Sequence, residues 1–433
     1  SKQNFDIGKY LKGDKTIWFL VLLLSVVSLL VVYSSTAAIA SRASSVGPLF
    51  FFAKQLMFLA LGFGLIFVLA RTPYTLFMGA SKITYYVSVG LLVAMFIVGQ
   101  SHNQAIRSLF FFQPAELCKI ALIMYVAHQL TVKQDCIKDF RRGFLPVLVP
   151  ILLTCLLIFL SNFSTSIILG ITCLIMMFIG RVRISQLLIT SGVLGVVLAM
   201  AVSFTKIVVD AADDRREHKQ KVTGMLATCE NIIQKTRLET IYSRIDKKLN
   251  DDHNIQAEYS YLAIASSGLI IGKGPGNSTL RYSLPEAFSD FVFAIVVEEY
   301  GVLLSSILIL CYLIILYRAG VMMHKAKHFF PALLAVGIGI QITQQALVNM
   351  FVATGMFPVT GQNLPFISQG GTSILTTSIM LGMLLSVSRS LEAKAAPVPL
   401  EAVAAQEIVE ADGGSDRQRY DGEPLQRAGQ TLP

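Results

Sequence analysis

Residues 284–299, LPEAFSDFVFAIVVEE, set one aspartate, Asp290, at the edge of a long apolar run that goes on to carry Glu298 and Glu299. A carboxylate beside hydrocarbon is costly unless it faces a polar cavity or a cation, so these residues point to proton transfer or to charge pairing. Ser283-Leu284-Pro285-Glu286 reads as a capping box with proline in the first turn. That predicts a helix from Ser283, with Asp290 in its second turn near the water boundary. The plainer reading of Asp290 is a helix N-terminal acid that complements the macrodipole, and the plainer reading of Glu286 is a cap. Glu298 would lie about 80° around that helix and about 12 Å deeper. At least one of Glu298 and Glu299 is expected to face the interior and meet a cation.

Three other stretches hold comparable chemistry. In QPAELCK, residues 113–119, Pro114 opens an apolar run and Glu116 and Lys119 are i, i+3 neighbours able to pair. With Lys54 in AKQLMF, they put charges of both signs in apolar surroundings, which suggests a polar cavity. An ion pair that locks helices and a Lys54 that snorkels to the interface are the alternatives. The loop GLIIGKGPGNS, residues 268–278, follows no strand and lacks the lysine-serine ending of a nucleotide-binding loop. Either a tight turn approaching a ligand or ordinary turn chemistry accounts for its glycines. Residues 354–373, TGMFPVTGQNLPFISQGGTS, have no charge, two prolines and four glycines between two apolar spans. Irregular backbone at such depth is tolerated where it is buried in protein or lines a cavity, so this loop is either re-entrant on a substrate pocket or an ordinary turn.

The elements that must position these residues are membrane helices. The chain of 433 residues is 54% hydrophobic and 15% charged, against about 25% charged in a soluble domain. Its apolar residues gather in uninterrupted runs long enough for the roughly 20-residue crossing of a bilayer. Ten spans are predicted, near 17–37, 49–70, 83–100, 114–131, 144–160, 163–180, 185–204, 291–316, 329–354 and 372–388. The fold class is therefore all-α and integral to the membrane, with a large loop, 205–289, between the seventh and eighth helices. The net charge of +9 argues for this rather than for nucleic acid, because the lysines and arginines sit in alternate short loops. That asymmetry puts both termini in the cytoplasm and the long loop outside.

Within the long loop, residues 206–221 are charge-rich, and 232–249 place Leu238, Ile241, Tyr242, Ile245 and Leu249 on one helical face. Residues 1–16 read as a cytoplasmic N-terminus and 391–433 as a disordered cytoplasmic tail. The first apolar run is too long for the h-region of a cleavable signal peptide. The six cysteines form no disulfide framework and the six histidines have no metal-ligand spacing.

Taken together, four segments resemble the SEDS family, the FtsW/RodA polymerases of bacterial cell-wall synthesis. They are QPAELCKIALIMYVA at 113–127, GKGPGNS at 272–278, LPEAFSDFVFAIVVEEYG at 284–301 and GMFPVTGQNLPFISQGGTS at 355–373. LPEA in place of LPEQ makes the chain look more like FtsW, hence division rather than elongation. The chain departs from the family pattern in three places. The stretch NQAIRSLFFFQP has Arg107 but no tryptophan where the family has an arginine-tryptophan pair, Asn162 in SNFSTS stands where the family has an acid, and Phe288 replaces a histidine.

The resemblance implies polymerisation of lipid II at the outer face of the inner membrane, with a class B penicillin-binding protein and other division proteins as partners. The family's essential acid maps onto Asp290. Substrate contacts are expected from Lys54, Arg107, Glu116, Lys119, Lys273, Asn277, Ser278, Glu286, Ser368, Gly370, Gly371 and Thr372. Lys54, Arg107, Lys119, Lys273 or a divalent ion would stabilise the leaving pyrophosphate. No metal cage is visible, so Mg²⁺ or Mn²⁺ would be held largely by substrate. Two rival readings are a lipid II flippase, with Lys54, Glu116 and Lys119 along its path, and a scaffold that recruits the septal transpeptidase.

Overall fold

The computed structural model describes residues 13–42, 48–98, 100–102, 105–108, 113–193, 195–196, 199–200, 203, 255–268, 270–278 and 290–395. The chain divides into two units, Ser1–Ser390 and Leu391–Pro433. The amphipathic 232–249 stretch, Glu286, the side chain of Arg107 and the tail beyond Ala395 lie outside the described residues. Helices dominate. In chain order they are α1 (Lys15–Arg42), α2 (Pro48–Arg71), α3 (Tyr74–Val98), α4 (Pro114–Val132), α5 (Leu145–Ser161), α6 (Phe163–Ile179), α7 (Ile184–Val193), α8 (Ile255–Ala265), α9 (Val292–Lys325), α10 (Phe329–Ala353) and α11 (Gly371–Ala395). A short antiparallel hairpin, β1 (Gln100–His102) and β2 (Ala105–Ser108), joins α3 to α4.

Among the described residues eight helices are long and apolar enough to cross a membrane, and α6 and α7 are shorter apolar helices. The chain is a multi-spanning helical membrane protein. Three elements differ from the pattern read above. The third span begins at Tyr74, because Pro73 favours the first turn of a helix and Lys82 rides on that helix instead of marking a loop. The eighth runs on to Lys325. Helix α8 is an added element of the long 205–289 loop, ahead of its glycine-rich 268–278 stretch. It packs on α9 and α10, and Ser260 Oγ donates to the Ala353 carbonyl at 2.8 Å.

Burial shows which helices form the centre. In their most apolar windows α10 and α11 are 72% buried and α4 67%, whereas α2 is 22% and α3 28% buried. The α9–α10 pair forms the main contact, with α4 and α6 against α10 and α1 against α2 and α9. Helices α2 and α3 are joined through only Thr72 and Pro73, yet they are not packing partners along their lengths. At one end of the bundle Asp14 caps α1 through the Thr16 N–H at 2.9 Å and pairs with Arg318 of α9. Asp290 lies ahead of α9 at its other end, about 40 Å from Arg318 at the rise of a helix.

Candidate active site

Asp290 sits in the turn before α9, not in the helix. The first helical residue is Val292, with Phe291 as its N-cap (φ −112°, ψ 23°), so the expected placement of Asp290 in a second helical turn is corrected. The cause is a competing donor. Asn349 of α10 donates through Nδ2 to the Asp290 carbonyl at 2.8 Å and to the Gln362 carbonyl at 2.6 Å. That draws the Asp290 carbonyl out of the helical ladder and ties the turn to the 354–370 loop. Gly361 of that loop has φ 65°, a left-handed conformation natural to glycine, and a Cβ there would stand 3.4 Å from Asp290 Oδ2. The half-buried carboxylate therefore lies beside a loop residue that has no side chain of its own.

Behind this turn lies a chain of buried amides. Gln362 Nε2 donates to Thr165 Oγ1 at 2.9 Å and to Asn162 Oδ1 at 3.4 Å, and Asn162 is itself the N-cap of α6, accepting from the Thr165 N–H. Gln345 Nε2 donates to the Asn363 carbonyl at 3.0 Å, and Gln345 Oε1 accepts from Lys119 Nζ at 3.0 Å. Lys119, 1% exposed, also pairs with Glu116 at 2.8 Å. In this conformation Glu116 and Lys119 join α4 to α10 and the loop, the helix-locking alternative. Asn349→Leu would remove the donor from two backbone carbonyls, at about 1–3 kcal/mol for each one left unsatisfied. The expected outcome is a lower melting temperature in detergent with helix content retained. An unchanged melting temperature would show that the turn and loop are held by other contacts.

A second device braces the start of α9. At Gly301 the helix is interrupted (φ 80°, ψ −178°), which frees the carbonyls one turn earlier from their usual donors. The 268–278 loop supplies replacements: Lys273 N–H donates to the Glu298 carbonyl and Gly274 N–H to the Glu299 carbonyl, each at 2.9 Å. This approach needs Gly272, since a Cβ there would run into the Glu299 backbone. The side chains complete the joint. Glu298, fully buried, accepts from Lys273 Nζ at 2.8 Å and Ser278 Oγ at 2.5 Å. Ser34 of α1 donates to the buried Glu299 carboxylate (2.5 Å), and the Gly276 N–H donates to Ser34 Oγ at 3.0 Å. The expectation that an acid of this pair meets a cation holds for Glu298.

The structure thus draws the anticipated residues into two groups. Asp290 belongs with the 354–370 loop, where Ser368 Oγ accepts from the Leu364 N–H at 2.8 Å and Gly370 accepts from Ile374 at the start of α11. The first turn of α11, with Gly371 and Thr372 half-buried, leaves backbone N–H groups without helical partners. Lys273 and Ser278 belong to the brace around Glu298, and Asn277 Nδ2 donates to the Lys273 carbonyl. Lys54 is exposed on α2, one turn from Phe58, whose ring lies against Gly371. Among the described residues no three His, Cys, Asp or Glu side chains converge as metal ligands. Sequence reasoning missed Gln345, Asn349 and Gln362. The signal was present in α10, where Gln341, Gln345 and Asn349 recur every four residues within an apolar span.

Residues 14–393 match the model of the FtsW, RodA and SpoVE family, described as cell cycle protein. The stage V sporulation protein E of Bacillus subtilis is 31% identical over 87% of this chain and 97% of its own length. A protein of Geobacter sulfurreducens named probable peptidoglycan glycosyltransferase FtsW is 30% identical over 89% of this chain and 97% of its own. Among solved structures, a chain from a peptidoglycan synthase complex that coordinates polymerisation and crosslinking matches with a TM-score of 0.66 at 22% identity, covering 87% of this chain and 98% of that one. The rod shape determining protein RodA of Thermus thermophilus matches with a TM-score of 0.60 at 21% identity, over 88% and 98% of the two chains.

Proposed function

Because the chain belongs to the FtsW, RodA and SpoVE family of cell cycle proteins, we propose that Asp290 is the general base of a peptidoglycan glycosyltransferase that polymerises lipid II. The peptidoglycan glycosyltransferase activity is the one that its FtsW relatives carry in their names, and the FtsW naming favours septal synthesis. One observation carries the assignment to Asp290: its carboxylate is half-buried and backed by Gly361, on a turn whose backbone is fixed through Asn349, at the end of α9 remote from the Asp14–Arg318 pair.

In the reaction, the sugar 4-hydroxyl of one lipid-linked unit attacks the anomeric carbon of another with inversion. The new C–O bond forms as the bond to undecaprenyl pyrophosphate breaks, and Asp290 takes the hydroxyl proton. The leaving pyrophosphate carries away the bonding electrons. It needs preorganised positive charge or N–H donors, and the open first turn of α11 at Gly370, Gly371 and Thr372 supplies donors of the kind that helix N-termini offer to phosphates. Arg107 and Lys54, on elements leading to this end of the bundle, are the cations we assign to the same role. A divalent ion would arrive with the pyrophosphate instead of residing in a protein cage. The separation of α2 from α3 suits a substrate whose polyprenyl tail stays in the bilayer.

We place ten crossings in the membrane, counting α6 and α7, with both termini cytoplasmic, Asp290 at the outer face of the inner membrane, and a class B penicillin-binding protein as partner. The deciding assay is glycan synthesis from lipid II by the purified chain with its transpeptidase partner in detergent. Glycan strands are expected. No product, together with transfer of dye-labelled lipid II across liposomes, would replace this reading with the flippase.

A further inference from the structure

At the end of α9 opposite Asp290 there is a second built feature, a cavity of about 280 Å³ between the α6–α7 corner and the α9–α10 turn. Arg181, Lys327 and His328 line it, and among the described residues no acid does. Among the described residues none of the three makes an ion pair or side-chain hydrogen bond, although Arg181 lies over the Phe329 ring, 5.6 Å from its centroid. Helix α10 starts in the same wall. Its N-cap, His328, contributes no side-chain bond, so the first N–H groups remain open and the positive end of the helix dipole points outward.

The backbone at Arg181 gives an independent sign. Helix α6 closes with a Schellman turn, in which Val182 N–H donates to the Met177 carbonyl and Arg181 N–H to the Phe178 carbonyl, both at 3.2 Å. The residue in the left-handed position of that turn is Arg181 itself, at φ 65°. Glycine is the usual occupant because it has no side chain to strain, yet Gly180 falls one place too early to relieve it. A backbone outlier retained at a cationic pocket points to a role for the side chain.

The cavity is just under the roughly 300 Å³ at which pockets for drug-sized ligands begin, enough for a phosphate whose apolar remainder lies outside. Phe178 and Ile184, 62% and 67% exposed beside Arg181, offer that remainder an apolar surface. Basic pockets between membrane helices on the cytoplasmic side are suited to anionic headgroups. We propose that this pocket binds the phosphate of an anionic phospholipid from the leaflet opposite Asp290, with Arg181, Lys327 and the open start of α10 as its ligands.

The test is the melting temperature of the purified full chain in phosphatidylcholine nanodiscs, with and without phosphatidylglycerol. Wild type is expected to melt at least about 2 °C higher with phosphatidylglycerol. Arg181→Gly relieves the backbone strain, so in phosphatidylcholine it should melt at or above wild type while losing most of the phosphatidylglycerol shift. Lys327→Gln should also lose much of the shift without touching the turn. Lys15→Gln, which removes an exposed cation at the start of α1, should keep it. A full shift in both pocket variants, or an equal loss in Lys15→Gln, overturns the proposal in favour of diffuse surface charge. An equal rise from inorganic phosphate added to phosphatidylcholine discs overturns the lipid as the source.

Discussion

Asp290→Asn is expected to lower glycan synthesis from lipid II by about 10²–10⁴-fold, the usual worth of a positioned general base, with no loss of fold. The substitution keeps the shape of the side chain. The bond from Asn349 reaches the backbone carbonyl of residue 290 at 2.8 Å and is indifferent to the side chain, and Gly361 still leaves space for the amide. Only the capacity to take a proton goes. The measurement is product formation by the purified variant with its partner, alongside its melting temperature. A variant that melts like wild type and makes no glycan supports the assignment, and synthesis at the wild-type rate would exclude Asp290 as the base. Asp290→Glu sharpens the result. One more methylene drives the carboxylate toward Gly361, and a misplacement of about 1 Å can cost around 10²-fold, so retained charge should not rescue the rate.

How much of this was legible in the chain depends on the kind of signal each part left. Apolar runs fixed the helices, since nothing but a helix satisfies its own backbone in hydrocarbon. The exception was Tyr74–Lys82, where polar residues on a helix imitated a loop. The acids were legible too: Asp290, Glu298 and Glu116 were conspicuous because charge is scarce in such surroundings. Their partners were less so. Lys273 lies 25 residues before Glu298 along the chain, and no local pattern announces that a glycine-rich loop will donate its N–H groups to a helix broken at Gly301. The Asn349 link to Asp290 spans 59 residues. It also inverted a local expectation, because the capping signal at Ser283 argued for a helix through Asp290 while a side chain on another helix took that residue's carbonyl.

That brace makes the second large effect. Lys273→Met would take the cation from the fully buried Glu298 carboxylate, to which Ser278 Oγ still donates at 2.5 Å. Breaking a buried pair from one side costs about 3–5 kcal/mol, and the lower end applies because the Lys273 side chain is 29% exposed. Thermal unfolding in detergent should therefore place Lys273→Met well below wild type. The double variant Lys273→Met, Glu298→Gln removes the stranded charge together with its cation and should recover most of the loss. If the single variant melts with wild type, the pair does not hold the brace. Glycan synthesis by the double variant then separates the two roles open to Lys273. A brace acts through Glu298, eight residues after Asp290, so activity should return in step with stability. A lysine that grips the pyrophosphate would instead leave a stable enzyme that stays slow, since methionine restores neither the charge nor the donors that phosphate requires.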